Sequence, residues 1–205
     1  MAISLNSKQS SRRKSQMADR SRDRYNEYWP EVPEADLWIR QKQTGFITIP
    51  RTMPIVMSII NSLTKGKPAG VTYFTLWCRC PDFAALTIES SDVYAAESGF
   101  TGQRRGDQWK TRMKALSELG FIKHKPGASG EFHDVLLINP HKVIRELKDL
   151  PESLWRQLFE RGQQIGAADV TAAAKESASS PNSRRSKQDL ETDIDEHPPN
   201  RRKAV

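Results

Sequence analysis

A chain of 205 residues with 37% hydrophobic residues and a mean hydropathy of -0.67 has room for one ordinary domain and is too polar to be folded throughout. The net charge of +7 is unevenly spread: residues 1–24 hold seven Lys/Arg against two Asp and residues 46–150 fourteen against ten, while 25–45 are acidic and 151–205 neutral. Phosphate is therefore the expected partner of the first arm and the central segment. No apolar run is long enough to span a bilayer, and no apolar stretch of signal-peptide length follows the basic N-terminus. A cytoplasmic protein without a membrane partner is expected.

Residues 1–24, rich in Ser, Arg and Lys, read as a disordered basic arm. From 25 to 45, Tyr28, Trp29, Leu37, Trp38 and Ile39 are interrupted by Pro30 and Pro33, which predicts an extended strap whose aromatics cover a core edge. The domain is expected over 46–150. Phe46-Ile47-Thr48-Ile49-Pro50 alternates as a strand or extended segment does, and Ile55, Val56, Ile59, Ile60 and Leu63 share a helical spacing that stops by Gly66-Lys67-Pro68. Val71 to Cys80 is β-prone in composition, yet Val71, Phe74, Leu76, Trp77 and Cys78 can pack one face of a helix, which is the reading adopted.

Leu86-Thr87-Ile88 is a short strand signal, and Ser90 or Ser91 can cap a helix over about Asp92 to Ser98 that Gly99 ends. After the turn Thr101 to Gly106, Asp107 is a plausible N-cap for a helix in which Trp109, Met113, Leu116 and Leu119 form one stripe before Gly120. Phe121-Ile122 and Val135-Leu136-Leu137-Ile138 can pair antiparallel around Pro126-Gly127-Ala128-Ser129-Gly130. His141 to Leu150 and Glu152 to Gln164 read as two helices broken at Pro151, with 151–164 the C-terminal helix and 165–205 a disordered tail. The fold class is mainly α with a small antiparallel β-hairpin (α+β), in the order of a winged helix-turn-helix domain.

That order puts one helix in a nucleic-acid groove. Gln108, Thr111 and Arg112 occupy its first two turns, where Gln and Arg can make bidentate contacts to adenine and guanine. Arg104, Arg105, Lys110 and Lys114 flank them as phosphate contacts, and Lys123 and Lys125, with His124, lie on the wing. The competing reading of each is a solvated polar face. Trp109 belongs with Met113 and Leu116 in the core rather than with a base.

Other chemistry finds little in the chain. Cys78 and Cys80 are best read as buried free thiols, and His124, His133, His141 and His197 show no compact metal spacing, so neither metal nor cofactor is expected. There is no phosphate-binding Gly-rich loop, no nucleophile elbow and no His-Glu-x-x-His, and the acids from Asp189 to Glu196 are in the tail. An enzyme is not expected.

The run Leu116-Ser117-Glu118-Leu119-Gly120-Phe121-Ile122 resembles the junction between recognition helix and wing in bacterial winged-helix regulators and plasmid replication proteins. Together with Phe46-Ile47-Thr48-Ile49-Pro50-Arg51 and Leu137-Ile138-Asn139-Pro140-His141, it resembles winged-helix DNA-binding proteins of bacterial plasmids and integrative elements, over Phe46 to Leu150. The six-residue turn from Thr101 to Gly106 is longer than that pattern has. The resemblance implies sequence-specific double-stranded DNA binding in the bacterial cytoplasm, by a regulator, replication initiator or partition factor, with replication or partition proteins as further candidate partners. The alternative is an adaptor in a replication or conjugation complex whose winged helix no longer binds DNA and which docks through the Tyr25 to Arg40 aromatics or the C-terminal helices. Pro151 to Gln164 is read either as a homodimer helix or as a cap on the core.

Overall fold

The computed structural model describes residues 16–171, in two units that divide between Phe46 and Ile47. In the first, residues 16–28 form a helix, α1, followed by short 3-10 turns at Glu34–Asp36 and Arg40–Lys42. This replaces the expected end of a disordered arm and the start of an extended strap. Opposite charges three apart, Asp19 and Arg22, Arg20 and Asp23, Arg24 and Glu27, suit a solvated helix that has no apolar stripe. The Tyr25 hydroxyl donates to the Val32 carbonyl, and Lys42 and Arg22 both pair with Glu34. Tyr28 packs edge-on against Trp29, and Trp38 against Phe46, yet all four rings stay exposed, Trp38 by 67%. The expectations for 1–15 and 172–205 lie outside the described residues.

The second unit is mainly helical with a small three-stranded antiparallel sheet, an α+β arrangement. Its elements are α2 (Met53–Leu63), α3 (Gly70–Arg79), β1 (Ala85–Thr87), α4 (Ser91–Glu97), α5 (Arg105–Glu118), β2 (Ile122–Gly127), β3 (Gly130–Leu137), α6 (Pro140–Glu146) and α7 (Glu152–Ile165). Phe46 to Pro50 forms no ladder. Pro54 begins α2, where a missing N–H costs nothing, and Met53, Val56, Ile59 and Ile60 face the core. The α3 reading holds, but its face is rotated from the expected one: Thr72, Tyr73, Thr75 and Leu76 are buried while Val71 and Cys78 are exposed. Close approach of α3 to α2 depends on Gly70, whose N–H donates to Asn61 Oδ1 and where a Cβ would meet the Met57 carbonyl at 2.8 Å.

Sheet order is β1-β3-β2, so β1 joins the hairpin along the far side of β3 and makes it a three-stranded sheet. In register, Leu86 faces Val135 and Val135 faces His124, with Thr87, Asp134 and Lys125 forming the next row. A bulge between Lys125 and Gly127 lets the two-residue Ala128-Ser129 turn close the hairpin. The core fills the space between sheet and helices, with Tyr73 edge-on to Phe121 and Trp109 edge-on to Phe132. Helix α6 ends at Glu146, short of the expected Leu150. After α7, Gly166 takes the left-handed C-cap and residues 168–171 make a further helical turn, with Val170 buried over Gly162. The expected tail thus begins with ordered packing through Thr171.

Candidate nucleic-acid interface

Helix α5 starts three residues earlier than expected. Arg104 holds the N-cap position and Asp107 sits in the first turn, where its charge complements the helix N-terminus instead of capping it. Trp109, Met113 and Leu116 are fully buried, Trp109 with only 1% of its surface exposed, and the tilted Tyr94 ring fixes it from α4. This anchoring sets the face that α5 turns outward. Arg104, Gln108, Lys110 and Lys114 are exposed and Thr111 is half-buried. The same side also carries Asp107 and Glu118.

Several of these side chains are already engaged. The Thr111 hydroxyl donates to the Asp107 carbonyl at 2.8 Å, one turn back on its own helix. Lys114 pairs with Glu131 on β3 at 3.4 Å, and Arg105 with Asp92 on α4 at 3.4 Å. Arg112 lies with Cζ 5.2 Å from the Phe100 ring centroid, and its Nε is buried with no hydrogen-bond partner. Lys110 and Arg104 make no ion pair among the described residues.

Lys123 and Lys125 do not join this surface. His124, between them, faces inward: its ring packs 4.5 Å from Phe132, and its Nδ1 lies 3.1 Å from the Ser117 hydroxyl of α5. Strand alternation therefore turns both lysines to the opposite face of the sheet, with Thr87, Asp134 and Leu136. At the β2–β3 turn, Ser129 bonds the Ile88 carbonyl and His133 Nδ1, and the His133 ring covers Gly127 so closely that a Cβ there would meet Cδ2 at 2.1 Å.

Sequence reasoning missed two other arrangements. Arg79 and Glu97 form a two-pronged ion pair between α3 and α4, with the guanidinium 4.9 Å from the Tyr94 centroid. That hydrogen bonding holds the Glu97 carboxyl below the usual range. The second is a clasp with one buried end: His141 Nε2 lies 2.7 Å from Thr52 Oγ1, and Nδ1 2.6 Å from the half-exposed Asp169 Oδ2, while Asn139 caps α6 through its Oδ1 and reaches Asp169 with Nδ2. Burial alone would raise the Asp169 pKa, but the bonds from His141 and Asn139 outweigh it and the net shift is downward. The order hydroxyl, imidazole, carboxylate is that of a hydrolytic triad, yet Thr52 is 1% exposed and closed to a substrate. The arrangement ties the starts of α2 and α6 to the 168–171 turn.

Among the described residues no group of three or more His, Cys, Asp or Glu is placed to hold a metal ion, and no helix is long and apolar enough to cross a membrane. Cys80 is buried as expected, whereas Cys78 is not. Comparison with family models, with curated proteins and with solved structures finds no match.

Proposed function

We propose that the second unit is a winged helix that binds double-stranded DNA, with α5 as the recognition helix. The observation that carries the reading is the outward face of α5, where Arg104, Gln108, Lys110 and Lys114 stand exposed on a helix whose other face is locked into the core. Support also comes from the order helix, strand, helix, helix, hairpin from α3 to β3, and from the β1-β3-β2 sheet behind it. Gln108 is the first candidate for a base edge. Arg112 is the second: contact with Phe100 restrains the guanidinium, and although Nε is buried, the two Nη groups are left to donate to guanine. Arg104, Lys110 and Lys114 supply phosphate contacts. Lys123 and Lys125 lie outside the surface proposed here. The biological role fitting such a protein is that of a plasmid or mobile-element regulator, replication initiator or partition factor in a bacterial cytoplasm.

The test is selection of bound duplexes from a random pool, followed by fluorescence anisotropy on the selected and a scrambled duplex across a salt series. Binding that prefers the selected sequence and weakens linearly in log salt is the expected result. Absence of binding at low salt would overturn the proposal.

An adaptor reading has one observation in its favour, the exposure of Tyr28, Trp29 and Trp38 in the first unit. It predicts that Trp29→Ala and Trp38→Ala abolish capture of a replication or conjugation protein and leave duplex binding unchanged.

A further inference from the structure

The outward face of the sheet forms an open groove of about 540 Å³ on the side away from α5. Its apolar floor includes Ala85 and Leu136, the latter 39% exposed, and Phe83, 76% exposed, lies two residues before Ala85. Lys123 and Lys125 stand along the β2 side, and neither makes an ion pair among the described residues. Asp134 is the acid in the groove, and it accepts a hydrogen bond from Thr87 Oγ1 at 2.9 Å. An apolar strip beside two unpaired lysines suits an acidic segment with spaced aliphatic residues.

We propose that this groove is the docking site of residues 189–196 of the same chain, Asp-Leu-Glu-Thr-Asp-Ile-Asp-Glu. Three observations converge on that occupant. Charge is complementary: five carboxylates in eight residues meet the two unpaired lysines. The pattern is complementary as well. Leu190 and Ile194 are four apart, a spacing that puts them on one face in either an extended or a helical conformation, with acids on both sides of each. The third observation is where the chain leaves. Asp169, held by His141, lines a small pocket with Ala84 and Leu137 at the end of the β1–β3 pair where Ala85 faces Leu136, with Leu137 turned to the core and Leu136 to the groove. The described chain stops two residues later, at Thr171. The 17 residues from 172 to 188 reach up to about 58 Å, long enough to pass around the sheet edge to its outer face. Docking sets a covered, charge-neutralised face on one side of the sheet and leaves α5 open on the other.

Zero-length carbodiimide cross-linking of the intact full-length chain, read by peptide mass spectrometry, tests the assignment without any DNA. Cross-links from Asp189, Glu191, Asp193, Asp195 or Glu196 are expected to concentrate on Lys123 and Lys125 over Lys65, Lys67, Lys110, Lys114, Lys142 and Lys148. The double substitution Leu190→Ser with Ile194→Ser is expected to lower their yield severalfold. Mixing light and ¹⁵N-labelled protein is expected to leave the cross-linked pairs isotopically uniform. Cross-links spread evenly, concentrated on α5 lysines or absent would overturn the proposal. So would an unchanged yield in the double variant, which means charge alone brings the segments together, or mixed-isotope pairs, which mean the occupant comes from a second copy. Loss of duplex binding bears on α5 and leaves this result untouched.

Discussion

Arg112 of α5 rests on Phe100, Cζ 5.2 Å from the ring centroid, and this contact spans the long turn that separates α4 from α5. It restrains a side chain otherwise able to sample many rotamers, so less entropy would be lost in the proposed contact with a base. Phe100→Ala is expected to weaken binding to a selected duplex severalfold while leaving a scrambled duplex unaffected, measured by anisotropy at fixed salt. Equal weakening on both would assign Arg112 to phosphate. Arg112→Ala is expected to cost about 1–3 kcal/mol of discrimination on the same comparison.

Trp109 makes a separate demand on the core. Its ring meets Phe132 edge-on at 5.9 Å and Tyr94 at 6.2 Å, and truncation to Ala is expected to cost about 3–5 kcal/mol in urea unfolding. The indole Nε1 is buried without a partner. Trp109→Phe removes that unsatisfied donor along with some volume, so it is expected to cost far less than Trp109→Ala. Similar losses in the two variants would show that the N–H is satisfied after all.

How much of this was legible follows from the range of each signal. The stripe of Trp109, Met113 and Leu116 is a local periodicity, and it gave both the helix and its buried face. Helix α1 has charge pairs in place of a stripe and so carries no local apolar signal, and in α3 the half-buried Phe74 and Trp77 outweigh the buried Thr72 and Tyr73 in any reading by hydrophobicity. The alternation Ile122, Lys123, His124, Lys125 was visible, but the face of the sheet covered by α5 is a tertiary fact, and it decides which surface the lysines join. Thr52, His141 and Asp169 are too far apart in sequence for any pattern to have linked them.

The β2–β3 hairpin depends on one glycine. Because the His133 ring lies over Gly127, Gly127→Ala is expected to displace that ring and break its bond to Ser129, loosening the link from hairpin to Ile88. Faster amide exchange at the hairpin tip, with the global unfolding midpoint shifted little, would register the change. Unchanged exchange would mean the ring moves aside freely.

The clasp at Asp169 predicts a pH dependence with a definite sign. Its carboxyl is held below the ordinary Asp value in the folded state, so the stabilisation is present above that value and is lost as pH falls through the lower folded one. Glu97, lowered by Arg79, acts in the same direction, and both carboxylates are partly exposed, so solvent screening keeps each contribution modest. The stability gap between the native protein and Asp169→Asn is expected to be widest near neutral pH and to close in acid, as followed by urea unfolding at stepped pH. A gap that widens on acidification would reverse the assignment.

Residues 1–15 hold Lys8, Arg12, Arg13 and Lys14 and no acid. Each that neutralises a phosphate releases condensed counterions, contributing about 0.9 to the slope of log affinity against log salt. If the arm meets DNA, deleting 1–15 is expected to make that slope shallower by up to about 3.6, four such contacts. Preference for the selected duplex is expected to survive, because the proposed readout belongs to Gln108 and Arg112 on a helix anchored independently through Trp109. Thermal stability is also expected to hold, since the core from Met53 to Val170 is built without these residues. An unchanged slope would remove the arm from the interface and leave the exposed cations of α5 as the source of the salt dependence. A lost preference with an unchanged slope would instead assign sequence readout to the arm and overturn the role given to α5.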